Sequence, residues 1–83
     1  MITAAQMRAA RALLGLDQRQ LADAAGVSLP TIQRMEGSEG QVRGNVDTLV
    51  KVVDALERGG VILLAEDDNG GRGVRLKGSN GNL

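Results

Sequence analysis

Residues 16–37, LDQRQLADAAGVSLPTIQRMEG, carry two helix start signals in close succession, and that pairing restricts the fold more than any other feature of the chain. In Leu16-Asp17-Gln18-Arg19-Gln20-Leu21, Asp17 supplies an acidic N-cap and Gln20 the polar residue three positions on. Leu16 and Leu21 flank them as an apolar pair, so a capping-box-like device sits inside a hydrophobic staple. Val27-Ser28-Leu29-Pro30-Thr31-Ile32 repeats it, with Ser28 as cap and Val27 and Ile32 as staple. Pro30 falls in the first turn, where a missing N–H does no harm. Gly26 bends the chain between the two segments. Two short helices so joined form a helix-turn-helix, a geometry that commonly presents its second helix to DNA.

A third cap opens the chain: Thr3 with Gln6 as box, Ile2 with Met7 as staple. Its helix is predicted to reach Leu14 and stop at Gly15, with an apolar face of Met7, Ala10, Leu13 and Leu14. Beyond a Gly- and Ser-rich loop at 38–44, Asn45 can cap a further helix from Val46 to Arg58. Its stripe is Leu49, Val52, Val53 and Leu56, and Gly59-Gly60 ends it.

After Gly60 the period changes from helix to strand. Val61-Ile62-Leu63-Leu64-Ala65 is rich in β-formers, Asn69-Gly70 is a strong hairpin signal, and Val74-Arg75-Leu76-Lys77 alternates. A two-residue turn at Asn69-Gly70 pairs Ala65 with Val74, Leu63 with Leu76, and Asp67 with Arg72. The first strand is apolar on both faces, and an isolated hairpin is marginal in water. A second copy of the chain is the simplest cover for the exposed face and edge. The expected dimer interface is therefore Val61, Ile62, Leu63, Leu64, Ala65, Val74 and Leu76. The chain divides into a helical domain at 1–59, a hairpin element at 60–78 and a disordered tail at 79–83. The fold class is mainly α: four to five helices followed by a hairpin that forms an intermolecular antiparallel sheet.

Composition narrows the function. The 83 residues hold no aromatic side chain, no Cys and no His. The core must be aliphatic, disulfides and thiolate metal sites are excluded, and the commonest general base and metal ligand is missing. No enzyme, cofactor or metal site is expected. Glu66-Asp67-Asp68 lacks the spacing of a calcium loop and reads as a solvated turn. No apolar run is long enough to span a membrane, so a soluble cytoplasmic protein is the expectation. Net charge is zero, although all five cations within residues 1–45 are arginines, set against four carboxylates. Weak net charge favours a dimer reading two half-sites over a monomer reading one.

Helical geometry sorts the second helix of the pair. With Ile32 and Met35 turned inward onto Leu21, Ala22 and the first helix, Pro30, Gln33, Arg34 and Gly37 fall on the outer face, with Leu29 at its margin. Arg34 suits the O6 and N7 of guanine, and Gln33 suits an adenine edge or plain solvent. Leu29 and Pro30 offer apolar contact to thymine methyls. Gln18, at the start of the preceding helix, is placed for a phosphate. Arg19, Thr31 and Arg43 are further phosphate candidates beside simple solvent exposure.

Arg11, Gly15-Leu16, Gln18, Leu21-Ala22, Gly26-Val27-Ser28, Ile32 and Glu36, followed by Thr48-Leu49 and Ala55-Leu56, resemble the phage repressor and Cro-like (Xre-type) helix-turn-helix regulators. The resemblance covers residues 3–58. It implies a structural ion pair between Arg11 and Glu36, and a Gln18 that anchors the DNA backbone. Gly37-Ser38 and Gly44-Asn45 stand where the family has Asn-Gly and Pro-Ser, so loop contacts do not carry over. The resulting expectation is a homodimeric repressor or autoregulator reading a pseudo-palindromic double-stranded operator through its third helix, without a small-molecule ligand. The alternative is a helix-turn-helix scaffold that binds a protein, such as an antitoxin or anti-activator.

Overall fold

A computed structural model describes residues 2–78 of the protein. Four helices, α1 (Ala4–Leu14), α2 (Gln18–Ala25), α3 (Leu29–Glu36) and α4 (Val46–Gly59), precede two strands, β1 (Val61–Leu64) and β2 (Gly73–Leu76). Each helix begins on the cap its sequence predicts. The Thr3 hydroxyl accepts the Gln6 N–H at 3.0 Å, and the Gln6 side chain accepts the Thr3 N–H at 2.9 Å. Asp17 and Gln20 repeat this box at 2.7 and 2.9 Å. Ser28 accepts from the Thr31 N–H at 3.2 Å, and Asn45 from that of Thr48 at 2.8 Å. Gly26, at φ 71°, turns the chain from α2 into α3 through the left-handed region that a side chain would resist.

The core is a single aliphatic cluster. Met7, Leu21, Ile32, Met35, Val52, Leu56 and Val61 are its largest fully enclosed side chains. Leu13, expected on the inner face of α1, is instead 45% exposed, and Leu14 packs half-buried against the core. Gly59 explains the choice: a Cβ there would lie 2.8 Å from Leu14 Cδ1, so the absent side chain makes the seat for Leu14. Gly59 accordingly belongs to α4, and the left-handed stop falls on Gly60 at φ 116°. The segment between α3 and α4 is zipped to the N-terminus. Ala4 N–H donates to the Gly40 carbonyl and Val42 N–H to that of Ile2, each at 2.9 Å, which buries Ile2 and Val42 together in the core.

The hairpin forms, but in another register. Val61 faces Leu76, Ile62 faces Arg75, Leu63 faces Val74 and Leu64 faces Gly73. Asp67 bridges Gly70, so the two-residue turn is Asp68-Asn69 rather than Asn69-Gly70. The Asp67 carboxylate accepts the Asn69 N–H at 2.8 Å, a local bond that stabilises this turn. No described residue other than glycine has positive φ, which rules out the doubly left-handed turn that Asn-Gly would make. Moving the turn by one residue shifts every pair by two, so each side chain keeps its face. Val61, Leu63 and Val74 therefore still point into the core. β1 and β2 pair with each other, and the hairpin lies on its own chain's α1 and α4. The predicted tail at 79–83 lies outside the described residues.

Candidate nucleic-acid interface

Residues of α3 segregate as its period demands. Ile32, Met35 and Glu36 are buried, while Pro30, Gln33 and Arg34 are exposed and Leu29 is half-buried at the helix start. The exposed trio is held on a helix whose two ends are both tied down. At its start, the Ser28 and Thr31 hydroxyls bond at 2.8 Å, and Arg34 Nη2 donates to Thr31 Oγ1 at 3.3 Å. At its end, Glu36 receives Arg11 Nε and Nη2 at 2.8 and 2.9 Å in a two-pronged ion pair. Arg11 Nη1 also donates to the Leu16 carbonyl at 3.1 Å, so one guanidinium joins α1, the α1–α2 turn and α3.

Two further partners of Glu36 were not legible as such. Gln18 Nε2 donates to Glu36 Oε1 at 3.1 Å, and Arg8 Nη1 donates to the Glu36 carbonyl at 2.7 Å. Gln18, placed by its position at a helix start as a phosphate ligand, is thus oriented by the same carboxylate that α1 grips. Burial pushes the Glu36 carboxyl up. Hydrogen bonds from Arg11 and Gln18, with the charges of Arg11 and Arg8, outweigh it and hold the group below its ordinary value. The Arg11 guanidinium is raised in turn, chiefly by its hydrogen bond to Glu36. The pair is charged at neutral pH and, with side chains 21% and 3% exposed, largely out of water.

Beside α3 lies a depression of about 180 Å³, lined by Thr31, Arg34, Met35, Arg43, Gly44, Asn45 and Thr48. It brings two arginines to the first turn of α4, where the helix dipole favours an anion although the turn also carries Asp47. The sequence offered Arg43 and Thr31 singly as phosphate candidates; the fold sets beside them Asn45, read there as a helix cap, and Thr48, read there as part of the family resemblance. Arg19 is exposed on α2. Of the residues predicted at a dimer interface, Val61 has no exposed surface and belongs to its own chain's core. Leu63 and Val74 are half-buried against that core. Ile62 is half-buried, Ala65 is exposed, and Leu64 and Leu76 remain 37% and 45% exposed.

Four capped helices, with an exposed polar face on the third and an ion pair fixing its angle, define a helix-turn-helix regulator. A family model for helix-turn-helix proteins of the Xre/Cro-like type matches residues 7–59, and the chain belongs to that family. The family is one of DNA-binding regulators. No match is found among the curated proteins. Among the described residues, no helix is long and apolar enough to cross a membrane.

Proposed function

We propose that the protein is a cytoplasmic repressor or autoregulator that binds a pseudo-palindromic operator as a homodimer, with α3 in the major groove. The observation that carries this reading is the outer face of α3, where Gln33 and Arg34 stand exposed on a helix clamped at both ends. Arg34 donates two hydrogen bonds to a guanine edge, Gln33 pairs with an adjacent adenine, and Leu29 and Pro30 touch thymine methyls. Gln18, Arg19, Thr31 and Arg43 hold the backbone, with one phosphate seated in the depression beside Asn45 and Thr48.

Two half-sites about one helical turn apart, ~34 Å, require a two-fold pair of such domains. The hairpin supplies the joint through Ile62, Leu64, Ala65 and Leu76, the apolar positions it leaves outside its own core. A gel shift of wild type and Arg34→Ala on DNA upstream of the protein's own gene, at two salt concentrations, tests the reading. A specific shift that weakens with salt and is lost in Arg34→Ala supports it. A folded dimer with no specific shift at low salt favours the protein-binding alternative, with which the zero net charge also agrees.

A further inference from the structure

Two polar or charged residues are buried among those described, Gln6 and Glu36, and both are anchored on α1. Glu36 joins α1 to the recognition helix. Gln6 joins α1 to the hairpin. Its Nε2 donates to the Leu64 carbonyl at 2.9 Å and the Gly73 carbonyl at 3.0 Å, one on each strand, at the pair where the ladder ends. Its Oε1 is occupied by the Thr3 N–H, so a side chain only 4% exposed uses both donors and its acceptor. Apolar packing of Val61, Leu63 and Val74 is non-directional and tolerates sliding. Two hydrogen bonds from one amide to two strands do not, because their geometry is narrow.

We propose that Gln6 is a positioning residue which locks the hairpin to α1 and, through the α1 arginines on Glu36, holds hairpin and recognition helix in one fixed relation. In the homodimer proposed above, on which this inference rests, Gln6 thereby sets the half-site spacing the protein accepts. The leverage is large. Across the molecule's 32 Å extent, a swing of roughly 6° at the hairpin moves the far side by about 3.4 Å, one base-pair step.

Gln6→Met keeps the length of the side chain and removes both donors; Gln6→Glu keeps an acceptor for Thr3 and leaves at most one donor, on the neutral carboxyl, so that both strands cannot be held. Each is compared with wild type on a duplex selected from a randomised pool by the wild-type protein, and on versions with the half-sites moved one base pair closer or further apart. Wild type is expected to lose about tenfold or more in affinity on either shifted duplex. The variants, folded by circular dichroism and dimeric by sedimentation, are expected to bind all three within about threefold. Should one variant fail to fold, the other carries the same comparison. A lower melting temperature with the wild-type spacing preference intact makes Gln6 merely structural and overturns the proposal while leaving the dimer standing. A wild type that binds the selected duplex as a monomer overturns the dimer reading and the proposal together.

Discussion

At the scale of single residues, Arg34 and Glu36 divide reading from support. Arg34→Ala removes the base-edge contact proposed for this exposed side chain. It is expected to weaken binding to the preferred operator by about 1–3 kcal/mol, with an unchanged thermal melt, as read by gel shift and circular dichroism. Glu36 acts on stability instead. Its carboxyl lies below the ordinary value in the folded chain, so the ion pair contributes fully above the unfolded value of about 4.3. That contribution is lost as the pH falls through the lower folded value. Glu36→Gln should therefore be less stable than wild type in urea melts at pH 7, and the difference should shrink on descent below about pH 4. Arg11→Ala leaves the buried carboxylate with one hydrogen bond, from Gln18, and the nearby charge of Arg8. It is expected to cost about 3 kcal/mol, the low end for a broken buried pair because Arg11 is partly solvated.

At the scale of elements, the caps decide where each helix starts, and the glycines decide how closely neighbours meet. Gly26→Ala places a Cβ in the left-handed region and is expected to lower stability by about 1–2 kcal/mol. Gly59→Val should do worse than Gly60→Ala in a denaturant titration. The first drives a branched side chain into Leu14, whereas the second puts a Cβ on a backbone at φ 116°. The elements were legible where the signal is local. Thr3, Asp17, Ser28 and Asn45 each cap through a residue three positions on. The hairpin's turn was misplaced by one residue because Asn-Gly is a strong local preference, and the Asp67 carboxylate with its own backbone bond outcompetes it. The apolar faces survived the error, since a shift of two keeps the pleat.

At the scale of the whole molecule, the helical body and hairpin share one core through Val61, Leu63 and Val74. The large apolar side chains the hairpin leaves exposed are Leu64 and Leu76, at opposite ends of the ladder and on opposite faces of it. The double variant Leu64→Glu, Leu76→Glu is expected to shift sedimentation from dimer to monomer and to abolish cooperative operator binding. Its helix content should be unaltered, because neither side chain lies in the core cluster. Affinity should also fall with salt, since the backbone contacts proposed for Arg19 and Arg43 would displace counterions.

The chain's sequence by itself determined the helices, their order, the inward and outward faces of α3 and the existence of a hairpin, because these follow from caps and periodicities a few residues long. The Arg11–Glu36 pair came from resemblance, and the tertiary structure supplied its geometry. The cap at Thr3 and Gln6 was legible, but only the fold decided that Gln6 also reaches across 58 positions to the hairpin. Only the fold turned Leu13 outward, and gathered Asn45 and Thr48 beside Arg34 and Arg43. The physical reason is common to all three: each depends on what a distant segment brings to within van der Waals or hydrogen-bond distance, and no local pattern encodes that.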